Sequence, residues 1–497
     1  MEDEFLQGLT GRIVLPCDPI YPEARQGFNR AVQRYPVVIV YCRTPQDVSN
    51  AVTWSRVRDV PLRVRSGGHN YEGFSNGDCA LVIDLSEMNG IIVDEQAGLV
   101  RVEAGVANRE LYEAVSSLGY PFPGGTCPTV RASGYALGGG WGLSCRYLGL
   151  GCDSLTGVEL IDDTGTLIHA SATENEELFW ALRGAGGGNF GVVVALTFLL
   201  PAKVGSVTLI ELDYQQADEQ LQRDFLRAWQ RWLAAADERM TLIARVYNSQ
   251  EEGLAMLARG IFFGNPDQAR AMLAPLLALR PTTVSLQAMS FLDAIRIIQS
   301  GYPPWELFTS FSRFVTEWLT DGQIAQAVQT IQQRAPGSVF AGLSVYALGG
   351  RVAQTGVDQT AYYYRDAKYI LYLSTDWEDP QWADANRRWL AERYPVLAPM
   401  GAGAYVNFPW LGLPCFLEQY YGGHVGRLKQ VKRHWDPCNV FSFPQGIRPE
   451  AEAPCRPFLC LPAQPDGLSE GQAIHQNHRE FRLAPSQPEV SIQEELE

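Results

Sequence analysis

Three glycine-rich segments hold the residues whose types and spacing suit this chain to ligand chemistry. Arg65-Ser66-Gly67-Gly68-His69-Asn70 follows a β-rich run at Leu62–Val64, and its N–H groups, free of side-chain bulk, form a nest suited to a pyrophosphate. A longer segment runs from Pro123-Gly124-Gly125-Thr126-Cys127-Pro128-Thr129-Val130 into Ser133-Gly134, Gly138-Gly139-Gly140 and Trp141-Gly142. So much glycine is costly as ordinary core. Close backbone approach to a large planar or phosphorylated ligand explains it, a cluster of tight turns being the alternative. The third segment, Gly186-Gly187-Gly188-Asn189-Phe190-Gly191, satisfies the GxGxxG dinucleotide fingerprint, which requires a strand before it and a helix after it. Here Glu176–Arg183 reads as helix and Val192–Phe198 as buried strand. A helix-to-strand turn is expected, not a Rossmann site.

The elements that must position these segments follow from local pattern. Runs rich in β-branched residues at Val37–Tyr41, Leu62–Arg65, Leu81–Leu85 and Leu99–Val102 read as strands, and Thr44–Arg58 reads as a helix with Thr44 as N-cap and Pro45 in its first turn. From about residue 204 the texture changes. A strand at Val207–Asp213 precedes a helical stretch at Asp218–Met240, and further helices at Pro266–Ala274, Asp321–Gln333 and Gln381–Arg393 alternate with strands at Ser338–Leu348 and Tyr369–Ser374. That order predicts an α+β fold whose second domain is an antiparallel sheet covered by helices. Phe308, Phe311, Phe314 and Trp318 have the spacing of a helix face in the core, with an apolar substrate pocket as the second reading.

Length and composition bound the function. The chain has 497 residues, 46% hydrophobic and 19% charged, which is enough for two or three globular domains. A net charge of -15 without a basic cluster argues against nucleic acid. No apolar run is long enough to span a membrane, and the acidic start Met1-Glu2-Asp3-Glu4-Phe5 lacks the form of a secretory signal, so a cytoplasmic location is expected, although a mature secreted form would read the same. The ten cysteines show no CxxC pair and no metal-ligand rhythm, so no metal is expected. Beyond residue 449 the sequence reads as a partly extended or disordered tail. Within it, Cys455 and Cys460 are spaced to close a short loop, and His475 and His478 read as solvated residues.

Taken together, Arg-Ser-Gly-Gly-His-Asn at 65–70, Thr-Cys-Pro-Thr-Val at 126–130, Gly-Gly-Gly-Trp-Gly at 138–142, Gly151-Cys152-Asp153-Ser154 and Tyr405-Val406-Asn407 resemble the berberine-bridge-enzyme-like FAD-linked oxidases. These belong to the vanillyl-alcohol oxidase and p-cresol methylhydroxylase (PCMH) superfamily. The resemblance runs from about residue 10 to 448. It implies a PCMH-type FAD-binding domain at 10–203, a substrate domain at 204–399, and a segment at 400–448 that returns to the FAD domain, with the tail at 449–497. It implies FAD attached twice, through His69 to the 8α carbon and through Cys127 to C6. It places Arg65, Ser66, Gly67, Gly68, Asn70 and Ser75 at the cofactor, with Thr129, Val130, Ser133 and Gly134 from the second loop. Gly138, Gly139, Gly140, Gly142, Asp153 and Val193 are assigned there as well, and Tyr405 and Asn407 at the flavin's edge.

The resemblance further implies that a hydride passes from an alcohol, a sugar hydroxyl or a hydroxylated secondary metabolite to flavin N5, with O2 as final acceptor and hydrogen peroxide as product. A dehydrogenase or oxidative cyclase sharing the same flavin site, and a flavin-retaining binding or coat protein, are the alternatives. In such relatives the proton acceptor comes from the second domain's sheet or from a Tyr-x-Asn-Tyr motif. Here that motif ends in Phe408, which has no hydroxyl. Alternation puts Ile370, Tyr372 and Ser374 on one strand face, which makes Tyr372 the expected base, alone or with Tyr363, Tyr364 or Arg365. A free tyrosine titrates near 10, so activation needs a nearby cation, and Arg365 and Lys368 are the sequence neighbours that would supply it. Packing across strands is the competing role for Tyr372.

Overall fold

The computed structural model describes residues 2–449. The tail expectations at 450–497, including Cys455, Cys460, His475 and His478, lie outside the described residues. Three sheets organise the rest. A four-stranded sheet is ordered Arg12–Val14, Val38–Tyr41, Leu81–Asp84, Leu62–Arg65, with its last three strands parallel. An antiparallel five-stranded sheet is ordered Ile91–Asp94, Leu99–Glu103, Val192–Leu199, Leu155–Ile161, Leu167–Ser171. The third sheet has seven antiparallel strands in the order Thr283–Met289, Val207–Tyr214, Gly253–Phe262, Met240–Ser249, Ser338–Ala347, Tyr369–Trp377, Phe308–Val315.

Local chemistry fixes the helix starts close to where the sequence places them, while the stretch expected to run to Met240 ends at Ala235 and Met240 opens a strand. Thr44 Oγ1 accepts from the Asp47 N–H while the Asp47 carboxylate accepts from the Thr44 N–H, so a capping box opens the helix Pro45–Arg58. Asp218 Oδ1 accepts from the Leu221 N–H at 2.7 Å and opens Glu219–Ala235, which buries Phe225, Trp229 and Trp232 against the seven-stranded sheet. Each of these aromatic side chains contributes on the order of 2 kcal/mol by leaving water. Together with Asp321–Gln329 and Ala383–Leu397, this helix covers one face of the sheet.

The other face carries the site. In Tyr369–Trp377 the odd positions Tyr369, Leu371 and Leu373 enter the helix-side core, while Ile370 and Tyr372 enter the cluster shared with the glycine-rich loops. The helix expected from Phe308, Phe311 and Phe314 is a strand instead. Every residue of Phe308–Val315 is buried, and a strand covered on both faces shows no polar alternation, so its aromatic spacing imitates a helix. Phe311 packs on Tyr394 and Trp410, Phe314 on Tyr364 and Tyr405, and Trp318 lies past the strand end and is exposed.

The segment from Gly401 onward closes back on both regions. The Phe314 N–H donates to Gly403 O at 2.8 Å and the Tyr405 N–H donates to Ser312 Oγ at 3.0 Å. Farther on, the fully buried Lys432 ammonium donates to Asp436 Oδ2 at 2.6 Å, Asn189 O at 2.6 Å and Phe441 O at 2.8 Å. This charge cluster fastens the helix Val425–Trp435 to the glycine turn before Val192.

Candidate active site

A cavity of about 760 Å³ lies between the loops and the seven-stranded sheet, within the size range of small-molecule and cofactor sites. Ser66, Gly67, Gly68, His69, Asn70 and Ser75 line it from the first loop. Cys127, Val130, Ser133 and Gly134 line it from the second, and Val193, Tyr405, Asn407 and Tyr372 complete the expected residues that reach it.

Seven expected residues lie outside that lining. Arg65 is buried in an ion pair, with Nε 2.5 Å from Asp84 Oδ2, and its Nη2 donates to Ala24 O at 2.8 Å; it anchors the loop from behind. Asp153 is taken by Arg365, with Oδ1 2.7 Å from Nη2, and its Oδ2 accepts from the Leu150 N–H at 2.9 Å. Gly138, Gly139, Gly140 and Gly142 form a packed layer where side chains would collide with Asn407, Tyr362, Tyr135 and the Gly124 carbonyl respectively. Gly139 and Gly140 also need positive φ, at 113° and 87°. Thr129, the seventh, contacts His69 through its hydroxyl.

Tyr405 holds this layer in place. Its phenol oxygen accepts from the Gly140 N–H at 2.9 Å, the Trp141 N–H at 3.1 Å and Asn407 Nδ2 at 3.1 Å, while Asn407 Nδ2 also donates to Tyr135 O at 3.0 Å. Trp141 ties the layer to the sheet, its Nε1 donating to Ala347 O at 2.8 Å and its ring meeting Tyr346 edge-on at 4.8 Å.

At the loop end of the cavity His69 stacks on Phe28, with centroids 4.3 Å apart, and Nε2 lies 2.8 Å from Thr129 Oγ1. Burial, with the Arg131 charge nearby, pushes the His69 imidazole down to about 4, so the ring is neutral at physiological pH. Cys127 Sγ lies 3.6 Å from the same Thr129 oxygen. Asn108 Oδ1 and Arg131 Nε, on side chains of the cavity wall, are buried without a hydrogen-bond partner among the described residues. An acceptor and a donor left unmet beside a glycine-lined wall fit a large ligand carrying both kinds of group, as FAD does.

The sheet end is polar. Arg245, Ser344, Tyr372 and Ser312 are successive cross-strand partners on four neighbouring strands, and Arg245 Nε donates to Ser344 Oγ at 2.8 Å. Tyr372, Ser374 and Asp376 project from one strand into the cavity, where Glu306 joins them. Burial and the neighbouring Glu306 push the Asp376 carboxyl up to about 8, with Arg245 opposing. Burial also raises Glu306, again with Arg245 opposing. Burial and the nearby Tyr346 hold the Tyr372 phenol well above its ordinary range. Of the two cations expected to activate Tyr372, Arg365 and Lys368, the first is bound to Asp153, and Arg245 is a cation in electrostatic reach of the phenol. Phe408 sits among these rings, stacked on Tyr71 at 5.5 Å and 5.1 Å from Tyr372.

Sequence reading passed over several wall residues. Gly186, Gly187, Gly188 and Asn189 line the cavity although their helix-to-strand context is the one expected. Arg245 and Glu306 come from elements remote from Tyr372 in sequence. Asp376, by contrast, continues the Ile370, Tyr372, Ser374 alternation, and that signal was present in the sequence.

A parallel-plus-antiparallel cofactor region joined to a helix-covered antiparallel sheet, with a glycine-walled cavity between them, defines a two-domain PCMH-type flavoprotein fold. The chain belongs to the berberine-bridge-enzyme-like FAD-linked oxidoreductases. Residues 36–171 match the FAD binding domain family and residues 404–448 the berberine and berberine-like family. It is 37% identical to the uncharacterized FAD-linked oxidoreductase YgaK of Bacillus subtilis, over 89% of this chain and 97% of that one. It is 28% identical to aclacinomycin-N/aclacinomycin-A oxidase of Streptomyces galilaeus, over 85% of this chain and 87% of the relative. Among solved structures, xylooligosaccharide oxidase from Myceliophthora thermophila C1 in complex with xylobiose superposes with a TM-score of 0.80 at 25% identity, covering 91% of this chain and 99% of that one. No helix among the described residues is long and apolar enough to cross a membrane.

Proposed function

We propose that this chain is an oxidase of hydroxyl-bearing small molecules, sugars or glycosylated and hydroxylated metabolites, holding FAD covalently through His69 and Cys127 and passing electrons to O2. The observation that carries the reading is the convergence of His69 and Cys127, from separate loops, on one hydroxyl beside a cavity that Asp376 and Tyr372 also line. The named activities of two relatives, an aclacinomycin oxidase and a xylooligosaccharide oxidase, support the substrate class.

FAD, when bound, supplies a two-electron acceptor for the carbinol hydride. The chain's own residues handle the proton and the placement. The cavity-lining residues of 66–70, 127–134 and 186–189 cradle the cofactor, and Asn108 Oδ1 and Arg131 Nε offer it an acceptor and a donor. The sheet face presents Tyr372, Ser374 and Arg245 to the substrate's oxygens. Asp376 accepts the hydroxyl proton: it lines the cavity, it is a carboxyl held near the working pH, and a base so matched is effective. Tyr372, expected as the base, serves instead as a hydrogen-bond donor, because burial and the nearby Tyr346 keep its phenol protonated even with the Arg245 charge in reach. The aromatic wall of Tyr71, Phe408 and Tyr346 offers ring faces to a sugar or polycycle.

The test is a denaturing mass measurement followed by anaerobic titration with mono- and oligosaccharides, aromatic alcohols and glycosylated polyketides. The proposal expects the polypeptide mass plus one FAD, bleaching by at least one substrate class, and stoichiometric peroxide on admitting air. Flavin released by acid refutes the attachment. Bleaching reversed by a quinone and not by air makes the chain a dehydrogenase, and a flavin that nothing in the panel bleaches favours a binding role.

A further inference from the structure

The Thr129 hydroxyl reaches both side chains proposed for flavin attachment, His69 and Cys127. His69 Nε2 is 2.8 Å from Thr129 Oγ1 and Cys127 Sγ is 3.6 Å from it, and among the described residues neither side chain makes another hydrogen bond. A hydroxyl has one proton to donate and two lone pairs with which to accept. A neutral imidazole has one N–H and one in-plane lone pair, and the hydrogen bond at one nitrogen decides which is which. Phe28 stacked at 25° holds the ring plane, leaving Nδ1 as the nitrogen that Thr129 does not engage.

We infer that Thr129 is the positioning residue for covalent flavin attachment: its oxygen accepts from His69 Nε2–H, which leaves the Nδ1 lone pair to form the bond to the 8α carbon, and its own proton is donated to the Cys127 sulfur. This rests on the doubly attached flavin proposed above and adds to it the residue that orients both attaching side chains. At His69 the N–C bond replaces a C–H bond of the 8α methyl group and the imidazole N–H. As Nδ1 forms its bond, the proton on Nε2 becomes acidic and leaves towards the hydroxyl. At Cys127 the S–C bond replaces the C6–H and S–H bonds. Each step delivers two protons and two electrons to the flavin ring, and O2 removes them as hydrogen peroxide, restoring the oxidised cofactor. The hydrogen bond from Thr129 fixes the position of the sulfur for that bond.

The experiment compares the purified wild-type chain with Thr129→Val, which keeps the shape and removes the hydroxyl, and Thr129→Ser, which restores it. Total flavin, the fraction retained after acid precipitation, and the linkages found by peptide mass mapping are measured for each, with circular dichroism to confirm folding. The expected result is double attachment in the wild type and in Thr129→Ser. In Thr129→Val the doubly attached fraction falls at least about tenfold, the change expected from losing one oriented charge-assisted hydrogen bond, while flavin stays bound non-covalently. Double attachment at the wild-type level in folded Thr129→Val, or a histidine linkage at Nε2 in the NMR spectrum of the isolated flavin peptide, overturns the inference. A wild-type chain without either linkage overturns the doubly attached reading itself and the inference with it. If Thr129→Val does not fold, Thr129→Ala is read in its place by the same criteria.

Discussion

Replacing Asp376 with asparagine separates proton transfer from packing, because the amide keeps the shape of the carboxyl but cannot take a proton at neutral pH. An aspartate ordinarily titrates at 3.8, and burial beside Glu306 raises this one to about 8. At pH 7 only about one carboxyl in ten is then ionised and at pH 9 about nine in ten, so flavin bleaching by substrate should accelerate roughly ninefold over that interval. General-base catalysis contributes about 10²–10⁴ in rate, so Asp376→Asn should slow anaerobic bleaching at least about a hundredfold and abolish the limb near pH 8. The sign on stability is opposite to that on rate. A raised carboxyl pKa favours the folded state at low pH, and this advantage is lost as pH rises from the unfolded value through about 8. Asp376→Asn should therefore melt no lower than the wild type above pH 8, which excludes unfolding as the cause of lost rate. Bleaching within threefold of wild type, or a surviving limb near 8, would refute the assignment.

Tyr372→Phe should keep its flavin and its pH profile while bleaching about tenfold more slowly, the loss of one substrate hydrogen bond. A vanished limb in that variant would return the proton to tyrosine. Lys432→Met leaves the Asp436 carboxylate buried without its cation and should cost about 3–5 kcal/mol, read as a melting temperature lower by several degrees. A melt unchanged within a degree contradicts the account of how the C-terminal segment is fastened. Phe408→Tyr introduced into Asp376→Asn should restore no bleaching, and a recovery of tenfold or more would place a usable base at position 408.

What the sequence disclosed depended on the range of the interaction. The helix Pro45–Arg58 was legible because Thr44, Pro45 and Asp47 specify its start within four residues. The face of Tyr372 was legible because alternation is a property of the strand alone. The glycines at 186–188 lack the strand before and helix after that a dinucleotide motif requires, yet they line the cavity because distant strands bring that turn against the loops. Arg65, Asp153 and the glycines at 138–142 carry the pattern of a cofactor site without reaching the cavity, since a loop that holds a ligand needs a second layer to hold the loop. Arg245, Glu306 and Asp376 meet only through sheet order, which pairing at long range decides and no short window reveals.

The absence of a hydroxyl at Phe408 follows a consistent electrostatic logic. Its ring lies among Tyr71, Tyr346, Tyr372 and Tyr405, and burial raises all four phenols. A fifth phenol there would meet the same desolvation and the repulsion of any neighbour that ionised, so it too would stay protonated. A carboxyl starts from a far lower value, and the same burial that disables a tyrosine brings an aspartate into the working range. An apolar ring at 408 is thus consistent with the proposed base, a carboxyl on the sheet. Asp376 lies two residues beyond Ser374 on the face of the strand that already carries Tyr372.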